Sequence, residues 1–173
     1  YTIRLAHGSW THTGDASPFD AEWKAAAWKI LETFHQQQRL TGKGPYSFQR
    51  TSANPLDTLP LDGYGNPARP VGLIFSMFRP SDDACTYPLF IPANLFAIRS
   101  LAQMREIATA ALSDDRLAGA CEALLTTLRQ AVAQHGFVEH PVHGKIWAYE
   151  VDGYGNTLMM DDSNAPGLLS LPY

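Results

Sequence analysis

The residues best suited to chemistry gather in one segment, Phe78-Arg79-Pro80-Ser81-Asp82-Asp83-Ala84-Cys85-Thr86-Tyr87-Pro88. Asp82 and Asp83 are adjacent carboxylates beside a fixed cation, Arg79. Neighbouring carboxylates repel, so one tends to keep its proton at neutral pH. A protonated carboxyl in a cleft is what a general acid requires. Arg79 could hold one of the pair ionised or bind a substrate hydroxyl. The same residues also suit a plainer role, because Ser-Asp-Asp is a common helix start. A second acidic pair lies in Met159-Met160-Asp161-Asp162-Ser163-Asn164. It too precedes an expected helix, so the two pairs read either as two walls of one pocket or as two caps.

Aromatic residues supply the faces such a pocket would use. Trp23 and Trp28 lie on or beside the apolar face of an expected helix and read as core. Tyr64 and Tyr154 sit in a repeated turn, Asp62-Gly63-Tyr64-Gly65-Asn66 and Asp152-Gly153-Tyr154-Gly155-Asn156, and read as pocket faces able to stack on the CH face of a sugar. Asp-Gly and Gly-Asn are also generic turn dipeptides, so the repeat is either coincidence or a pair of similar loops at one rim. Other chemistries find less. His140 and His143, beside Glu139, do not have a zinc spacing. Gly42-Lys43-Gly44 is too short for a phosphate loop, and no Gly-x-Ser-x-Gly elbow occurs. Cys85 and Cys121 cannot make a disulfide scaffold.

These residues need a scaffold, and 173 residues suffice for one domain. The net charge is −4, which gives no footprint for nucleic acid or an anionic membrane. No apolar run reaches the ~20 residues of a membrane span. Residues 1–13 read as a weakly marked helix. A clearer one starts with Ser17 as N-cap and Pro18 at its first position. It carries Trp23, Ala27, Ile30, Leu31 and Phe34 at helical spacing and stops at Gly42. Residues 43–90 form a proline-rich stretch without helical period, long enough to be functional. A largely apolar helix is expected from about Pro92 to Leu112. Another is capped near Ser113 or Asp114 and ends at Gly136, and the two make an αα-hairpin. Residues 137–160 read as a short β excursion, with a further helix beginning near 162–166. Tyr1 to Leu5 reads as the middle of an element, and the far end is apolar, so the chain is expected to be an internal piece of a longer one.

Longer motifs now carry a resemblance. Gly72-Leu73-Ile74-Phe75-Ser76-Met77-Phe78-Arg79-Pro80-Ser81-Asp82-Asp83-Ala84 followed by Ile91-Pro92-Ala93-Asn94-Leu95-Phe96-Ala97, with Gly63-Tyr64-Gly65-Asn66-Pro67, Gly153-Tyr154-Gly155-Asn156, Met160-Asp161-Asp162 and Leu169-Ser170-Leu171-Pro172-Tyr173, resembles glycoside hydrolase family 125. The resemblance covers essentially the whole chain. It implies an all-α (α/α)6 toroid, here only its central part (1–173), with N- and C-terminal parts missing and a short β excursion in a loop. It further implies an exo-acting α-1,6-mannosidase that inverts the anomeric centre and needs no metal or other cofactor. Its substrate would be a terminal α-mannoside, such as those of N-glycans.

In the resembling family the general acid is an Asp, placed here in the Arg-Pro-Ser-Asp-Asp segment. Asp82 and Asp83 both remain open, with a slight preference for Asp83 as acid and Asp82 as a ligand of sugar hydroxyls. Arg79, Ser81, Asn94, Tyr64, Asp161, Asp162 and Asn164 are the implied substrate contacts. The upstream Trp-Leu-Arg-Asp-Ser-type motif of the sugar pocket is absent, as is the region expected to supply the Glu base. Glu139 and Glu150 are nearby, but neither lies in a matching motif. The chain alone is therefore expected to be inactive. Two other classes remain. An isoprenoid-type synthase would want a third Asp at position 86, where Thr86 stands. A non-catalytic mannoside-binding module would bind without turnover. Compartment and oligomeric state are not legible.

Overall fold

The computed structural model describes residues 1–170. The last residues of the family-like motif, Leu171-Pro172-Tyr173, lie outside that range. Helix α1 (Thr2–Thr13) ends at Gly14, whose φ of 74° closes it in the left-handed region. Helix α2 (Ala21–Gln37) begins three residues later than the Ser17 reading requires. Its N-cap is Asp20, whose carboxylate accepts the Trp23 amide at 2.9 Å. Residues 15–19 form a turn instead, in which Asp15 accepts the Ser17 amide and the Phe19 amide reaches Ala16. The Ser17 backbone is thus committed before a helix can start there.

The proline-rich stretch is irregular as expected. It holds one 3-10 turn (Pro55–Asp57) and the single turn α3 (Pro60–Gly63), in which Leu61 and Asp62 have positive φ. After strand β1 (Leu89–Phe90) the chain enters α4 (Ile91–Glu106). This helix widens into a π turn over Ile107–Ala111, where the expected helix had simply continued to Leu112. The wide turn brings Asp114 into place to accept the Leu117 amide at 3.0 Å and start α5 (Asp115–His135). Gly136 ends α5.

The α4–α5 hairpin is the centre of the main core. Leu101, Met104 and Ala108 pack with Leu117, Cys121, Leu124, Leu125 and Leu128. Ile3 of α1 and Ala27 and Leu31 of α2 close the cluster, with Trp23 and Trp28 partly buried against it. Burying a side chain of this size is worth roughly 1.5–3 kcal/mol, so this layer fixes the helices.

The β excursion is present as two small sheets. One is the hairpin of β2 (Phe137–His140) and β3 (Gly144–Trp147). The other has the order β1–β4–β5, with β4 (Glu150–Val151) in the middle and β5 (Thr157–Leu158) outside. Its pairs are Leu89 with Val151, Phe90 with Glu150, and Glu150 with Leu158. Leu73, Phe75, Leu89, Ile91 and Val151 join this sheet to Ala131 and Val132 near the end of α5. The helix expected near 162–166 is replaced, among the described residues, by a folded-back loop and a 3-10 turn over Leu168–Ser170. The described residues are thus mainly helical, with the strands confined to one side of the hairpin.

Candidate active site

Residues 78–84 form a tight turn closed by a bridge between Phe78 and Ala84. The Arg79 amide donates to the Asp83 carbonyl at 2.8 Å, and the Asp82 amide to the Arg79 carbonyl at 3.0 Å. Asp82 sits at the bend with φ of 68°. Helix α4 starts only at Ile91, with Phe90 as its N-cap. The helix-start role for Ser81-Asp82-Asp83 is therefore excluded. Ser81 Oγ donates to Asp83 Oδ2 at 3.0 Å. Ser81 and Asp82 are exposed and Asp83 is half-buried. Among the described residues no hydrogen bond engages the Asp82 carboxylate. The turn thus presents two carboxylates with lone pairs to spare.

The second acidic pair is brought to the same place but is used differently. Asp161 accepts the Leu168 amide on Oδ1 at 2.7 Å and the Leu169 amide on Oδ2 at 2.8 Å, which caps the last 3-10 turn. Asp162 Oδ1 accepts the Asn164 amide at 2.8 Å and its Nδ2 at 2.9 Å. The Asn164 amide holds the Asp162 carboxyl below the usual carboxylate value, against a small desolvation cost, and the Ser81 hydroxyl adds to the effect. Ser81, which bonds to Asp83, also acts on Asp162, so the two acidic pairs lie near one another. Asp161 and Asn164 spend their side chains inside the loop.

Asn94 is placed otherwise than the resemblance implies. It is 1% exposed, its Oδ1 accepts the Ile74 amide, and its Nδ2 donates to the Ile74 and Phe90 carbonyls. It ties residue 74 to α4 and offers no donor outward. Tyr64 is half-buried in a separate cleft of about 460 Å³ with Arg39 and Lys43. The Lys43 ammonium lies 5.0 Å and the Arg39 guanidinium 5.8 Å from its ring. Tyr154 is 67% exposed on the β4–β5 turn.

The repeated turns share one feature. A Cβ at Gly63 would stand 2.7 Å from the Phe48 backbone, and one at Gly153 would stand 2.5 Å from the Arg69 carbonyl. Each glycine also has a positive φ, so glycine is required on two counts. Otherwise the copies diverge. Asp152 accepts the Tyr154 and Asn156 amides and the Asn156 side chain, whereas Asp62 is exposed with a φ of 59°.

Two residues beside the turn have roles that the sequence reading did not give them. Glu150 is 0% exposed. Its Oε1 accepts from Arg79 Nε at 2.6 Å and its Oε2 accepts the Tyr87 amide at 2.9 Å. Arg79 also donates Nη2 to Thr86 Oγ1 at 3.2 Å. The Glu150 bond holds the guanidinium above its ordinary value, against the pull of burial. Tyr149 is fully buried with its ring 4.8 Å from Phe90, and its hydroxyl has no partner. Burial, then the Asp162 carboxylate, pushes that phenol up. Burial and the Glu150 charge likewise push up the Cys85 thiol, so it is no nucleophile at neutral pH. The available signal was a lone carboxylate within the partly alternating run Ile146–Val151.

His140 Nδ1 accepts the Val142 and His143 amides, so these histidines make a hairpin turn. Glu139 faces Lys145 across that exposed hairpin. Among the described residues no group of three or more His, Cys, Asp or Glu side chains is arranged so that it could hold a metal ion, and no helix is long and apolar enough to cross a membrane.

Comparison with known proteins places this arrangement. The chain is 40% identical over 180 residues to the meiotically up-regulated gene 157 protein of Schizosaccharomyces pombe, covering 99% of this chain and 35% of that protein. It superposes with a TM-score of 0.95 and 35% identity on a Streptococcus pneumoniae metal-independent alpha-mannosidase, solved as a non-productive complex with alpha-1,6-mannobiose. The match covers all of this chain and 41% of that one, so the chain spans little more than a third of the relatives it matches. The family model for metal-independent alpha-mannosidases, GH125, matches residues 1–173 throughout, and the chain belongs to that glycoside hydrolase family.

Proposed function

We propose that this chain carries the acid-bearing part of an exo-acting, inverting α-1,6-mannosidase that removes terminal mannose from α-mannosides or N-glycans. It would form the central part of an (α/α)6 toroid completed by the length that the relatives have in addition. The observation that carries this reading is the Arg79–Asp83 turn, which displays two carboxylates beside the second acidic loop and lies within the family motif. Asp83 donates the proton to the leaving glycosidic oxygen. Its Ser81 bond orients the carboxyl. Asp82 and Asp162 take sugar hydroxyls.

An inverting reaction also needs a base across the sugar, with the two carboxyls roughly 6.5–9.5 Å apart to admit a water. Glu150 is enclosed in its ion pair and Glu139 lies on the exposed hairpin. The base is therefore assigned to the part of the catalytic domain outside these residues, and the chain alone is expected to be inactive.

The test is to follow α-1,6-mannobiose by NMR with the whole protein in a chelator. Release of mannose first as the β-anomer, undiminished by chelation, supports the reading. Retention of configuration, or turnover by the isolated 173 residues, overturns it. Binding without turnover assigns the chain instead to a mannoside-binding module.

A further inference from the structure

We propose that Glu150 is a positioning residue for the acid turn: it holds Arg79 in place and cancels the guanidinium charge inside the protein, so that Arg79 acts as a strut and not as a substrate ligand. The inference rests on the mannosidase reading above. Its basis is geometric. Glu150 sits in the middle strand of the β1–β4–β5 sheet, paired on one side with Phe90 and on the other with Leu158. The strand fixes its backbone, and burial fixes its side chain, which is 0% exposed. From there one oxygen takes Arg79 and the other takes the Tyr87 amide. The two ends of the 79–87 segment are thus pinned by one carboxylate. Arg79 in turn closes the acid turn through its own backbone, donating to Asp83 and accepting from Asp82. Only 9% of the Arg79 side chain is exposed, and its Nη2 is engaged by Thr86.

Charge matters as well as shape. The titratable groups around Arg79 are Glu150, Tyr149 and Cys85. The charges of Asp161 and Asp162 act on Tyr149, and Asp82 and Asp83 are on the turn itself. Tyr149 and Cys85 are neutral at ordinary pH because burial opposes their ionisation. The Glu150 carboxylate is therefore the group that bonds to and offsets the Arg79 charge. A bare guanidinium there would favour ionised Asp82 and Asp83. That is the wrong state for a general acid.

The experiment compares Glu150→Gln, Glu150→Asp and the double variant Glu150→Gln/Arg79→Met in the whole protein on α-1,6-mannobiose. Glu150→Gln should lower kcat by roughly 10²-fold, the loss a small misplacement of a catalytic group produces. It should also move the alkaline limb of the kcat/KM profile down by about 1 pH unit. Glu150→Asp should lower kcat but leave the limb in place. The double variant should return the limb to its wild-type position. If kcat in Glu150→Gln is unchanged, or falls with the limb unmoved, the inference is overturned. Hydrogen exchange gives a readout independent of turnover. The Arg79 and Asp82 amides should exchange faster in Glu150→Gln, and equal exchange overturns the strut role even if the wild type proves to be only a binding module. An inactive wild type with faster exchange in the variant removes the mannosidase reading and leaves the strut standing.

Discussion

Asp82–Asp83 and Asp161–Asp162 are the same dipeptide, and their oxygens are engaged differently. In the second pair, the Leu168 and Leu169 amides take both oxygens of Asp161, and the Asn164 amide takes one oxygen of Asp162. In the first, main-chain bonds hold the turn, and the carboxylates face outward with one hydroxyl partner between them. An acidic pair is thus not defined by its composition. What its oxygens already accept decides whether it builds a loop or is left for substrate.

The largest effect that separates the pairs falls on the acid. Asp83→Asn should reduce mannose release by roughly 10²–10⁴-fold, the usual worth of general acid catalysis. Steady-state kinetics with α-1,6-mannobiose measures this, and retained activity would shift the acid to Asp82. Asp161→Ala should act on the fold. It removes the cap of two amides, one of them on exposed Leu169, and should cost roughly 0.5–2 kcal/mol, read as a lower Tm with kcat reduced far less than in Asp83→Asn. A loss of kcat equal to that of Asp83→Asn would erase the distinction between the pairs.

A finer effect lies in acid stability. The folded value of Asp162 is depressed, chiefly by the Asn164 amide. Such a group contributes stability that is complete above the unfolded value, about 3.9, and lost as pH falls through the lower folded one. Tm should decline below about pH 4, and Asp162→Asn should flatten that decline. An identical acid profile in the variant would deny the bond its role. Glu139→Gln on the exposed hairpin should be the quietest change, within about 0.5 kcal/mol and with wild-type kinetics. A marked loss would draw that hairpin into the site.

The helices were legible because their apolar spacing answers directly to one core. Trp23, Ala27, Ile30, Leu31 and Phe34 were read at helical spacing, and all five lie in or against the main core. The start of α2 was missed because Ser17 and Asp20 are equally good caps locally, and a turn made by Asp15 decides between them. The Arg79–Asp83 segment was singled out through residue type and motif. Its capping alternative fell only when α4 proved to begin at Ile91. Asn94 and Glu150 show the limit. One belongs to a long motif and turns out to be spent on backbone; the other carries no motif and holds the turn. Both facts depend on contacts between residues 20 and 71 positions apart, which no local pattern encodes.

The pairing of β1 with β4 has a kinetic consequence. Leu89 and Val151 meet only after α4, α5 and the β2–β3 hairpin lie between them. Closing so long a segment must be repaid by contacts that form afterwards, and distant pairings of this kind slow folding. The helical hairpin, built from local contacts, is expected to form first, and the Glu150–Arg79 bond to form with the last closure. The Arg79–Asp83 turn is therefore expected to be completed at the end of folding. A lesion in the α4–α5 core is expected to delay this turn before it alters it.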